Sequence, residues 1–168
     1  YTILRPTLTY GYGRDKSIAQ IARFINRYKF FPLFGKASGL RQPLHADDLA
    51  QACVSALVTD SARNHAYNLS GAETLTYREM VHRVFIGLER KPRVISCPLP
   101  LFRMALAFMR LFRRQQNLSL AMAQRMNQDL VFDHTEAVRD LVFTPRAFTL
   151  APNNFSNGSS NGENGAGF

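Results

Sequence analysis

Short β-favouring runs alternate with segments of helical periodicity along this chain, and that alternation sets the fold class as α/β. Residues 1–10 are rich in β-branched and aromatic types, and Pro6 marks a strand that leaves its sheet near the end. The turn Gly11-Tyr12-Gly13 follows, and Ser17 stands as N-cap of a helix over 17–29 with Ile18, Ile21, Ala22 and Ile25 on one face. Residues 30–34 form a short apolar segment, and 40–45 are extended because Gln42 precedes Pro43. Asp47 and Asp48 are predicted caps of a helix to Val58 whose Leu49, Ala52, Cys53, Ala56 and Leu57 make an apolar stripe. His65 to Leu69 reads as a strand. Thr76-x-x-Glu79 is a capping box opening a helix to Leu88 that buries Met80, Val81, Val84 and Phe85. A strand over 93–97 and helices over 100–114, 119–127 and 135–141 complete the pattern.

Composition narrows the function classes. The 168 residues suffice for one ordinary domain, and 46% hydrophobic residues are enough to build a core. Cys53 and Cys97 lie far apart with no CxxC, so there is neither a disulfide scaffold nor a zinc signature; both are expected to be small buried hydrophobes. Net charge is +9, and eight cations without one acid fall between Arg90 and Gln128. Such a surface attracts nucleic acid, anionic lipid or a phosphorylated ligand, and the absence of a recognition motif argues against nucleic acid. The apolar stretch 97–112 is interrupted by Arg103 and Arg110 and is too short to span a bilayer. Tyr1 opens within a strand, which reads as a cut point in a longer protein. Residues 1–152 are expected to form the folded part and 153–168, rich in Gly, Asn and Ser, a disordered tail.

Gly11-x-Gly13 lacks the third glycine of a dinucleotide loop and reads as a turn. His45, His65, His82 and His134 form no triad with a nucleophile elbow, and capping is the expected work of Asp47-Asp48.

One stretch is more specific. Phe34-Gly35-x-x-x-Gly39-Leu40-Arg41-Gln42-Pro43-Leu44-His45-Ala46-Asp47-Asp48-Leu49-Ala50 resembles a signature of the extended short-chain dehydrogenase/reductases, the NAD-dependent epimerase/dehydratase family. Leu4-Arg5-Pro6-x-x-x-Tyr10-Gly11, Ala66-Tyr67-Asn68-Leu69-Ser70-Gly71 and Leu141-Val142-Phe143-Thr144-Pro145-Arg146 resemble further family elements in the right order.

The resemblance implies the C-terminal portion of a Rossmann-like fold: the last strands plus a substrate-binding subdomain for nucleotide-sugars. It implies an intact protein that is an epimerase or dehydratase using NAD or NADP. The glycine-rich cofactor loop and the catalytic Tyr-x-x-x-Lys pair belong to the family's N-terminal part. No catalytic residue is therefore assigned here, and the segment alone is expected to bind no cofactor. Arg41 matches the arginine that contacts a substrate phosphate, and its bidentate fork suits that task. Leu8 and Gln42 are implied on the substrate side, and the backbone of Pro6 and Thr7 beside the nicotinamide. Leu8 departs from the family's usual Asn, Gln42-Pro43 from Asp-Phe/Tyr and Val142 from Gly. These departures lean toward the atypical branch, whose non-catalytic members include a respiratory complex I accessory subunit. On that second reading the protein is complex-associated or membrane-peripheral, with the basic segment 100–114 against anionic lipid. Location is expected to be cytoplasmic, with a membrane-peripheral position as the alternative, and no metal site is expected.

Overall fold

The computed structural model describes residues 1–13, 15–98, 100 and 120–150. The segment 100–114 and the tail 153–168, to which the sequence assigns a basic helix and disorder, lie outside them almost entirely.

Among the described residues, eight short strands pair two by two. Strand β1 (Ile3–Pro6) runs parallel to β6 (Ala66–Leu69), with Ile3 opposite Ala66 and Pro6 opposite Leu69. Strand β2 (Thr9–Tyr10) is parallel to β5 (Leu44–His45), and β3 (Phe31–Phe34) to β8 (Val94–Cys97). Strand β4 (Leu40–Arg41) pairs antiparallel with β7 (Leu75–Thr76). Parallel neighbours need long crossovers. Here α2 (Ala46–Val58) lies on the connection from β1 to β6, and α3 (Tyr77–Gly87) on the connection from β3 to β8.

Helix α1 (Ile18–Tyr28) turns Ile18, Ile21, Ala22 and Ile25 inward as its periodicity predicts. Ser17 supplies no side-chain cap. The Asp15 carboxylate accepts from the N–H groups of Ser17 and Ala19 instead, at 3.3 and 2.8 Å. The Thr76–Glu79 capping box forms in full, and α3 buries Met80, Val81, Val84 and Phe85. Helices α4 (Leu120–Asn127) and α5 (Thr135–Leu141) follow the sequence reading within a residue or two.

Helix α2 departs from expectation at both ends. His45, not an aspartate, is its N-cap: the imidazole Nδ1 accepts from the Asp47 N–H at 3.2 Å. Asp48 is freed to form a buried bond elsewhere. Of the expected apolar stripe only Ala52 is buried; Leu49 and Ala56 are half-buried, while Cys53 and Leu57 face solvent. Cys53 is thus exposed and Cys97 half-buried, contrary to the expectation of two core thiols. Helix α2 is apolar on more than one side, so periodicity alone could not choose its inner face.

Two cores result. One gathers α1, β3, α3 and α4 around Ile25, Leu33, Val84, Phe85 and Met126. The other joins β6, α2 and α5 around Leu44, Tyr67, Leu69 and Leu141. The irregular closing segment 143–150 crosses between them, placing Phe143 in the second core and Phe148 in the first. Its Arg146 side chain binds the buried Asp48 carboxylate through Nε at 2.8 Å, and its backbone N–H donates to the same group at 2.9 Å. Farther along, the Phe148 N–H donates to Glu73, and the Arg83 guanidinium donates to Glu73 and to the Phe148 carbonyl.

Candidate functional site

A pocket of about 510 Å³ opens beside the first core. Its wall is apolar, built from Ile21 and Phe24 of α1, Phe31 of β3, Met80 of α3 and Met126 of α4. Three cations reach it: Lys16 ahead of α1, Arg41 at the end of β4 and Arg125 of α4. No acidic side chain is among the described residues lining it.

Arg41 is the unusual member. It is 4% exposed, which a cation accepts only when partnered. Its Nη1 donates to the carbonyls of Leu40 at 2.7 Å and Gln128 at 2.6 Å, and its Nη2 to that of Arg125. The Arg125 and Gln128 carbonyls belong to the C-terminal end of α4, where the helix dipole favours positive charge. The guanidinium also sits 5.7 Å from the centre of the Tyr77 ring. Among the described residues no carboxylate lies within ion-pair distance of it; Asp129 acts on it only from farther away. Burial accordingly lowers its pKa, and burial pushes the Tyr77 hydroxyl up to about 12. A guanidinium has five N–H donors, and the three bonds to carbonyls use three.

The loop around Arg41 is fixed by close approach. A Cβ on Gly39 would stand 2.5 Å from the Gln128 carbonyl oxygen, so only glycine lets β4 meet the end of α4. The Asn127 amide donates to the Phe34 carbonyl at 2.8 Å and its Oδ1 accepts from the Ala37 N–H at 3.0 Å. The Leu40 N–H donates to Asp129 and the Leu130 N–H to the Leu40 carbonyl, both at 2.9 Å. Arg125 and Met126 are thereby held against the pocket. No local pattern in sequence announces this contact, because its partners lie some ninety residues apart.

The structure brings two of the sequence candidates, Arg41 and Leu8, to one pocket. Gln42 is buried outside it, with Oε1 accepting from the Phe132 N–H at 2.8 Å and Nε2 donating to Thr74 at 3.3 Å. The Thr7 hydroxyl donates to the Gln42 carbonyl at 2.6 Å, and Pro6 is exposed at the end of β1. Lys16, Arg125 and Tyr77 are site residues the sequence reading did not single out. A Tyr-x-x-x-Lys spacing does occur at Tyr12 and Lys16. It falls on a turn and not on one helix face, and the Tyr12 hydroxyl donates to Asp47.

Gly11 packs on His45 and Ala46, and Tyr12 closes the Gly11–Gly13 turn onto the acidic first turn of α2. A pyrophosphate there would meet Asp47, so these residues do not fit a dinucleotide cradle. Ser70 and His134 are bonded to each other, but Ser70 is fully buried and unreachable as a nucleophile. No cluster of metal-ligating side chains exists among the described residues, and no described helix is long and apolar enough to cross a membrane.

Residues 1–70 match the model of the NAD dependent epimerase/dehydratase family. The chain is 31% identical over 101 residues to NADH dehydrogenase [ubiquinone] 1 alpha subcomplex subunit 9, mitochondrial, of Arabidopsis thaliana, covering 60% of this chain and 25% of that protein. It is 33% identical over 98 residues to the uncharacterized protein y4nG of Sinorhizobium fredii, covering 58% and 24%. Its fold is shared with UDP-glucuronic acid 4-epimerase from Bacillus cereus at a TM-score of 0.62 and 14% identity, over 88% of this chain and 40% of that one. The epimerase Mth375 of Methanothermobacter thermautotrophicus gives 0.64 and 16%, over 93% and 41%. The chain thus spans about a quarter of the length of the relatives it matches and about two-fifths of these solved chains.

Proposed function

From the match of residues 1–70 to the NAD dependent epimerase/dehydratase family we propose that this chain is the substrate-side part of such a protein. Its pocket takes the phosphate-bearing end of a nucleotide-sugar. One observation carries the reading: a guanidinium 4% exposed, with no carboxylate beside it among the described residues, lines the pocket. Buried charges need counter-charges. The carbonyls anchor Arg41, two N–H groups remain, and a ligand phosphate completes the pairing. Lys16 and Arg125 add two exposed cations to the same wall. The apolar wall then faces the ligand's uncharged parts, and Leu8 closes it on the side of β1 and β2.

In the intact protein the chemistry is that of NAD, a transient hydride acceptor. Pro6 and Thr7 lie beside the nicotinamide on this reading. The chain's own contribution is to hold and orient substrate. A second reading is favoured by the likeness to a NADH dehydrogenase subunit: a complex-associated protein on this fold that turns over no sugar.

Calorimetric titration of the intact protein with a UDP-sugar separates the two. Arg41→Ala is expected to weaken binding about 30-fold while leaving NAD affinity nearly unchanged, and Arg41→Lys to restore only part of it. Arg41 also docks α4, so Lys16→Gln with Arg125→Gln, both exposed, is the companion variant; it should lower affinity with no change in melting temperature. Wild-type affinity in the Arg41→Ala protein overturns the assignment, and no sugar-nucleotide binding by the wild type favours the second reading.

A further inference from the structure

The fold joins two basic stretches that are distant in sequence. Residues 16–46 hold six Lys and Arg and no acid, and residues 90–128 hold eight cations and no acid. Parallel pairing of β3 with β8 sets Phe31 opposite Val94, and the Phe31 N–H donates to the Arg93 carbonyl at 2.9 Å. The end of α1 thereby lies against the segment leading into β8: the Arg90 Nε donates to the Asn26 side chain at 3.1 Å. This pairing brings Arg23, Arg27 and Lys29 at and after the second half of α1 to the same end of the β3–β8 pair as Arg90, Lys91 and Arg93. None of these six makes an ion pair among the described residues. Glu89, also exposed, is the acid of the α3–β8 connection.

Apolar groups are set among these charges. Tyr28 is 51% exposed and Ile95 of β8 is 56% exposed. Exposed aromatic and aliphatic side chains on elements rich in cations suit a lipid headgroup layer, where the charges meet phosphates and the apolar groups enter the acyl boundary. Nucleic acid fits less well. The Tyr28 ring packs against Phe24 at 4.6 Å between centres and carries the Arg27 guanidinium 5.6 Å from its own, which hinders the stacking of a base on it. An aliphatic side chain such as Ile95 has no counterpart on a phosphate backbone.

We propose that this face, made of the end of α1 and the strand β8 with its approach, docks the protein on an anionic membrane surface. None of its six cations is among the residues lining the pocket, and its use does not depend on what the pocket binds.

The test is co-sedimentation of the intact protein with phosphatidylglycerol-containing vesicles against pure phosphatidylcholine vesicles. Wild type should prefer the anionic vesicles, and added salt should weaken the binding. The triple variant Arg27→Gln, Lys29→Gln, Arg93→Gln should lose about 100-fold in partitioning, at roughly fivefold per charge. Ile95→Ser should lose a further few-fold. Equal binding to both vesicle types overturns the proposal, as does a triple variant that partitions like wild type. Single-stranded RNA bound in preference to vesicles, with Ile95→Ser without effect, assigns the face to nucleic acid and also overturns it.

Discussion

The pocket-side core and the core beneath α2 solve the same packing problem differently. Around the pocket, seventeen of the described residues are buried and apolar, fourteen of them from α1, β3, α3, α4 and the closing segment and three, Tyr10, Ala37 and Leu75, from outside these. Under α2 there are eight, and several large apolar side chains stay in water there, Val54, Leu57 and Val58 on α2, Ile3 on β1, Val138 and Val142 at α5, while the first core leaves Tyr28, Ile86 and Ile95 exposed. Helix α1 keeps charge on its outer side and apolar residues on its inner one. Helix α2 carries apolar residues on both. A helix with one apolar face specifies its own packing, whereas one with two uses only part of its apolar surface in any single contact. Strand β1 behaves like α2. It is a parallel strand with Ile3, Arg5 and Pro6 exposed, although parallel strands are ordinarily covered on both faces.

The comparison can be broken by substitution. The largest effect belongs to Phe148→Ala, which empties a site 1% exposed and removes an edge-to-face contact with Tyr10 at 4.8 Å. A loss of about 3–5 kcal/mol is expected in denaturant unfolding. Leu57→Ser, at 86% exposure on α2, should stay within about 0.5 kcal/mol. Comparable losses at the two positions would show that the outer face of α2 is packed in solution.

Val142 offers a smaller and opposite change. It ends α5 in the left-handed region, at φ 52° and ψ 38°, and is 77% exposed. A β-branched residue is strained there, so Val142→Gly should stabilise by about 1 kcal/mol despite glycine's greater freedom in the unfolded chain. A fall in melting temperature would contradict that account.

The smallest effect is confined to acid. The Asp140 carboxyl is held down to about 2, first by the Arg139 guanidinium and then by the Tyr67 hydroxyl. Its folded value lies below the ordinary 3.8, so its contribution is complete above that pH and is lost as pH falls toward 2. Asp140→Asn should flatten this part of the stability profile, and an unchanged slope would place the acid sensitivity elsewhere.

Legibility followed range. The elements were readable because their signals are local: the 3.6-residue spacing of α1, the Thr76–Glu79 box, Pro43 after an extended Gln42. Arg41 was readable as a candidate through its motif, and Leu8 through its departure from one. Lys16, Arg125 and Tyr77 were not, because nothing near them in sequence says that they share a pocket. The inner face of α2 and the exposure of Cys53 were misjudged for a related reason: several faces of that helix are equally apolar, and only its neighbours decide between them.

Sequence by itself determined the order and kind of the elements, the glycines at which chain segments can touch, and the departure of Val142 from a glycine position. Gly71 shows the second of these, since a Cβ there would lie 1.8 Å from the Pro43 carbonyl oxygen. Tertiary structure decided the rest. It buried Arg41 against the end of α4, paired Asp48 with Arg146 ninety-eight residues away, and set two acid-free stretches side by side. The last of these depends on which strands become parallel neighbours. Parallel neighbours are joined through crossovers dozens of residues long, and spacing within a helix or a turn carries no information over that distance.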